Sequence, residues 1–248
     1  PTEVLSDYKA GQDMVSATIP FKTFDELQLL VIPRRKENGS VHWDRSSLAG
    51  KVQLFTDRLQ MDIMAAHHFD ATVLGLGLSG NLGSAAWRTD ITWTEIESGP
   101  QYFSALANVD RSWVWGQKNW YGLLELYYHG LGEAEPEKAL LNADLIRRLH
   151  RGEIFVLSRV YVASALEVEV SPLVRLNMTA MYNVGDCSGL IQPTLRWDLA
   201  TDLEFIAGAN LYAGGRKTEF GGFDVKTSAG SLTIAPANSV FAWLTVYF

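Results

Sequence analysis

Ionisable and amide side chains recur at every second position through much of this chain, and these are the residues that could carry chemistry. Arg88 and Asp90 stand two apart, as do Asn108 and Asp110, Glu167 and Glu169, Arg175 and Asn177, and Arg196 and Asp198. Asp62, Glu125, Arg159 and Glu204 join them on the same side of their segments. Such a set has three uses. Opposite charges can pair and fasten neighbouring strands; a mixed polar wall can form a constriction that filters small solutes; two convergent carboxylates can share general acid–base work. No spacing singles out two carboxylates for the third use.

The other reactive residue types lack supporting context. His67 and His68 are adjacent, so in a strand they face opposite ways, and no further ligands mark a metal site. His129 and His150 bracket a helical segment and could meet in space. Ser188 sits in CSGLIQ without a GxSxG elbow or a placed histidine. VLGLGLSGNLGS is no phosphate loop, because Gly75 and Gly77 alternate inside a strand and no helix follows. Cys187 is the single cysteine, so no internal disulfide can form, and its GDCSG context reads as a turn with an inert thiol. No cofactor is expected.

The elements that must position the charges are strands. The run from Arg88 to Glu95 puts Arg88, Asp90, Thr92 and Thr94 on one face and Trp87, Thr89, Ile91 and Trp93 on the other. IQPTLRWDL repeats the arrangement. Period two predicts strands near 12–20, 26–33, 49–56, 59–67, 70–79, 84–95, 102–114 and 119–130. Further strands follow near 155–170, 173–184, 188–199, 203–213 and 239–248, about thirteen in all. EPEKALLNADLIRRLHRG is the exception, with helical spacing and Pro136 at its start, and predicts one helix over 136–150. Long connections fall at 34–48, 131–154 and 214–238, and short turns at FTDR, WGQK, SPL and TDL. Long loops on one end and tight turns on the other fit a transmembrane antiparallel barrel, with 131–154 and 214–238 as extracellular loops.

The apolar face of these strands is Leu, Val, Ile, Ala and Trp. In a soluble sandwich it would be the core; in a membrane barrel it would meet lipid while the charges line the lumen. Three features favour the barrel. VLSRVYVASALEVEV alternates well beyond the usual strand of about five or six residues. Aromatic residues gather near strand ends. The last strand alternates toward an aromatic end. A net charge of -7 with no basic block argues against a nucleic-acid partner. The chain opens on Pro1 without a Met or a signal peptide, which reads as a processed, trimmed or fragmentary start.

The terminal strand, with Val240, Ala242, Leu244, Val246 and Phe248 on one face, resembles the carboxy-terminal assembly signal of bacterial outer-membrane barrels. The resemblance implies recognition by the barrel-assembly machinery. Phe241, Trp243 and Tyr247 would then point inward, unlike the lining of an open, water-filled porin. PTEVLSDY followed by KAGQDMV, then AWRTDITW, WVWGQKNWYGLLELYY and SGLIQPTLRWDL, resemble a long, porin-like family of proteobacterial outer-membrane barrels without an assigned function. It implies an upstream half before the equivalent of Tyr8, so that residues 1–7 are the stump of an outer loop. The chain is accordingly expected to be a single barrel domain or the carboxy-terminal portion of a larger barrel. The expected activity is passive passage of solutes or a purely structural barrel, not enzymatic. An interaction scaffold for an envelope complex stands second and a barrel hydrolase third; a soluble sandwich stays open. Expected partners are outer-membrane lipid, the assembly machinery, and an amino-terminal barrel segment or partner chain pairing near the first strand.

Overall fold

The computed structural model describes residues 13–22, 24–35, 40–227 and 230–247. It is an all-β antiparallel fold with two short helices. The strands are β1 (Val15–Pro20), β2 (Glu26–Ile32), β3 (Ser47–Phe55), β4 (Leu59–His68), β5 (Ala71–Leu82), β6 (Ala85–Ile96), β7 (Gln101–Trp115) and β8 (Lys118–His129). After helices α1 (Pro136–Ala139) and α2 (Ala143–His150) come β9 (Val160–Ser171), β10 (Val174–Asn183), β11 (Ser188–Ala200), β12 (Leu203–Ala213), β13 (Phe223–Thr227), β14 (Gly230–Ile234) and β15 (Ser239–Val246). Thirteen of the strands pair in chain order, β1 to β12 and then β15, while β13 and β14 form a separate hairpin. Among the described residues, β1 and β15 each have one hydrogen-bonded neighbour.

The chain divides into two compact units, one of Pro1–Leu78 with Thr92–Gln101 and one of Ser79–Ile91 with Tyr102–Phe248. In the first, Val15, Leu29, Leu48, Ile63 and other apolar residues share one face by register, while Glu26, Gln28, Lys51, Gln53 and Asp62 share the other. Its connections are short at 21–25, 56–58 and 69–70 and long at 33–46.

In the second unit the same segregation is more complete. Register places Asn108 opposite Glu125, Tyr121 opposite Glu167, Glu167 opposite Asn177 and Asp198 opposite Glu204, all on one polar face. The other face carries Val109, Leu124, Leu166, Leu176, Ile191, Leu211 and Leu244, all exposed. From β7 to β15 it bears no acidic side chain, and its basic ones, Arg111 and Lys118, lie at the tight-turn end. Tight turns at 116–117, 172–173 and 201–202 close one end, and the long segments 130–159 and 214–238 lie at the other.

The buried apolar residues lie mainly at that loop end. Leu131, Ala139, Leu145, Ile154, Val156 and Phe223 come from the long connections, with Tyr161 and Leu190 from the adjoining strand ends. The side chains that alternate along the strands therefore do not supply this unit's main core.

Two expectations are corrected here. The helix predicted over 136–150 is split in two, because the Asn142 side chain accepts a hydrogen bond from the Leu145 N–H at 3.1 Å and starts α2 afresh. Arg147, Arg148 and His150 in its last turn favour the negative end of the helix dipole. The connection 214–238 also contains the β13–β14 hairpin, whose five-residue strands are too short for their alternation to stand out. The expectations placed on residues 1–12 and on Phe248 lie outside the described residues.

WGQK turns as its glycine suggests. Gly116 and Gln117 both have positive φ, 60° and 61°, the two-residue turn that matches strand twist. Gly116→Val should lower unfolding stability by about 1–2 kcal/mol, read as a lower urea midpoint.

Candidate functional site

The polar face of the second unit is the candidate site. Its charges are joined across strands, and not always as their spacing suggests. Arg88 pairs with Asp110 of β7 at 2.8 Å rather than with Asp90. An Arg88 guanidinium N–H also reaches the Asn108 amide oxygen at 3.4 Å, and the Asn108 amide donates onward to Glu125 at 3.3 Å. This polar chain therefore crosses β6, β7 and β8. Asn119 donates to Glu169 at 2.8 Å. Arg175 pairs with Asp198 at 3.8 Å, and Arg196 pairs with Glu204 at 2.9 Å. The Tyr247 hydroxyl donates to Glu204 at 3.3 Å, so the aromatic residue just after β15 is tied into the network. Phe241 and Trp243 stack beside it with ring centroids 5.1 Å apart. On the first unit's polar face, Asp62 lies 3.9 Å from Lys51 and accepts a hydrogen bond from Gln60.

Arg159 is the exception. It lies just before β9, where its Nε donates to the Gly132 carbonyl at 2.6 Å and its guanidinium meets Glu133 at 3.9 Å. The strand begins at Val160, so the alternation that assigned Arg159 to the wall does not reach it. It fastens the long loop instead.

The loop end holds groups that the spacing did not mark. Glu219, in the connection after β12, points its carboxylate back onto β9 and β10. One oxygen accepts from the Leu157 N–H at 3.0 Å, and the other from Asn183 at 2.9 Å and from the Tyr161 hydroxyl. Asp186 accepts from the Glu219 N–H at 2.6 Å and from the Ser188 hydroxyl at 2.6 Å. Tyr161, Asn183 and Ser188 lie on the polar face, in register with one another. Burial raises the Glu219 carboxyl above its ordinary value, although its hydrogen bonds pull the other way. The one sequence signal was a single Glu within a Gly-rich loop, too weak to stand out.

His129 and His150 do not meet. His129 is buried, with Nδ1 2.8 Å from the Ser104 hydroxyl and its ring packed against Tyr102 and Tyr127, whereas His150 is exposed at the end of α2. At 2% exposure, His129 offers no approach to a substrate. Cys187 is exposed in the β10–β11 turn. No metal-ligating cluster occurs among the described residues.

The arrangement can bind and sort charge, and its pairs link adjacent strands. A double-mutant cycle of Arg196→Ala and Glu204→Ala should give a coupling of about 0.5–1 kcal/mol that shrinks as salt is raised. For Glu219 the folded carboxyl holds its proton more tightly than the unfolded one. Its contribution to stability is thus fully present below the unfolded carboxyl's range and is lost as pH rises through the higher folded value. Thermal midpoints measured across that rise should fall more in the wild type than in Glu219→Gln.

The chain matches no protein-family model, no curated protein and no solved structure.

Proposed function

We propose that this chain forms the wall of a transmembrane β-barrel in a bacterial outer membrane and passes small solutes without chemistry. The observation that carries the reading is the second unit's exposed strand face, free of acidic side chains. In water such a face calls for a cover; in lipid it is the surface a barrel presents. Phe103 and Trp113 bracket that face on β7, ten residues apart. Ten residues span about 34 Å along a strand, or about 26 Å along the membrane normal at a tilt of about 40°. That agrees with the apolar band of an outer-membrane barrel. Trp113, Trp115 and Trp120 cluster at the tight-turn end, where an interfacial belt is expected.

In this reading the charges face water inside, and the outer edges of β1 and β15, unpaired among the described residues, each need a further strand, since unpaired backbone in hydrocarbon costs several kcal/mol per group. An amino-terminal barrel segment or a partner chain would pair with β1. The apolar face of β15 would serve as the signal read by the barrel-assembly machinery. Three guanidinium groups, Arg88, Arg175 and Arg196, stand against seven carboxylates on the second unit's polar face: Asp90, Asp110, Glu125, Glu167, Glu169, Asp198 and Glu204. The surplus of negative charge favours cations.

In planar bilayers under a KCl gradient, the reversal potential should show preference for potassium, and Glu167→Gln should move it toward zero. A chloride preference would remove the assigned selectivity. A chain that stays monomeric and folded in buffer without detergent would remove the membrane assignment.

The segments at the loop end give some support to a second reading, an interaction scaffold that presents α1 and α2 to an envelope partner. Absence of conductance, with the protein folded in the bilayer, would favour it.

A further inference from the structure

Building on the pore reading, we infer that residues 214–222 are a strap drawn inward over the outer mouth to narrow it, and that Glu219 is the residue positioning it. The strap has two sides of the wall to choose from. Its contacts lie with the polar one. Tyr161, Asn183 and Ser188, which receive Glu219 and Phe220, are in register with the lumen-facing series of β9, β10 and β11. The Phe220 ring stacks on Tyr212, with centroids 6.3 Å apart, and Tyr212 stands opposite Leu190 on that same face. The strap therefore meets the inner side of four consecutive strands, β9 to β12.

Its own backbone is closed tightly. The Lys217 N–H donates to the Gly222 carbonyl at 2.7 Å, and the Gly222 N–H donates to the Thr218 carbonyl at 2.9 Å. A Cβ at Gly221 would run into the Gly215 carbonyl oxygen, so only glycine lets the turn close. A compact turn of this kind moves as one piece, and the Glu219 side chain is its deepest tie to the wall.

An outer loop gains little by burying a carboxylate, because water solvates it well. Here three donors, the Leu157 N–H, the Asn183 amide and the Tyr161 hydroxyl, converge on its two oxygens and offset part of that desolvation. Acceptance from all three suits a carboxylate; an amide in its place would set its own N–H groups against a donor. Asp186 then aligns the strap's backbone by accepting the Glu219 N–H, and it holds Ser188 ready for the Phe220 N–H, 3.2 Å away.

The test uses the detergent-folded, reconstituted chain with Glu219→Ala, and Glu137→Ala on the exposed side of α1 as control. Heat-dependent gel mobility confirms that both variants fold. Arg216 and Lys217 are exposed in the strap and give trypsin its targets. Glu219→Ala should be cut there about tenfold faster or more, since several donors lose their acceptor and the strap opens locally. Its single-channel conductance should also rise, while the control matches the wild type in both assays. Unchanged cleavage overturns the role of Glu219. Faster cleavage with unchanged conductance overturns the narrowing. No current from any of the proteins removes the pore reading and the narrowing with it, and in that case the cleavage rates still report whether Glu219 holds the strap.

Discussion

A β-strand shows its environment two sides, and the second unit loads them with opposite chemistry. In β7 to β12 the acidic side chains all lie on one side and the other side is mainly hydrocarbon, with Arg111 and Lys118 at the tight-turn end as its charged exceptions, and the cross-strand register holds this separation from strand to strand. A slip of one residue in β7 to β12 would push a carboxylate, a guanidinium or another polar group through to the apolar side. The ion pairs Arg88–Asp110, Arg175–Asp198 and Arg196–Glu204 therefore act as register marks between strands as much as sources of binding energy. Each includes a side chain more than two-fifths exposed, which limits its worth in stability to a fraction of a kcal/mol up to about 1 kcal/mol.

The packing follows from that separation. With apolar and charged side chains on opposite strand faces, the buried apolar residues gather chiefly where the long connections fold back on the strand ends. Leu145 and Ala139 of the helices are fully covered, and α1 contacts β13 of the later connection. The loop end thus carries the tightly packed part of this unit, with buried Tyr161, His129 and Asn183 beneath it, while the opposite end needs only two-residue turns. Arg148, buried beside Glu153 and over the Tyr102 ring, belongs to the same packing.

Much of the strand framework was legible because period two is a local property. Every strand of the main sheet was placed to within a few residues, except for the start of β9, where Phe155 to Arg159 continue the alternation in type but not in structure. Those residues are held by the loop: the Leu157 N–H goes to Glu219 and the Arg159 guanidinium to Gly132 and Glu133. The pairing of charges was harder to read. Residues two apart on one strand, such as Arg88 and Asp90, look like natural partners, but an arginine reaches the next strand more readily, because neighbouring strands lie about 4.8 Å apart while like-facing residues on one strand are about 6.8 Å apart. Glu219 was not legible at all, since its partners Leu157, Tyr161 and Asn183 lie 36 to 62 residues away in sequence.

The turn between β10 and β11 has a practical consequence. Its Cys187 is the only thiol in the chain and lies in the open, next to the aspartate that receives the strap's backbone. A maleimide dye or spin label attached there would sit beside residues 214–222 without any engineered cysteine, so the native protein already carries an address for distance and mobility spectroscopy at its loop end.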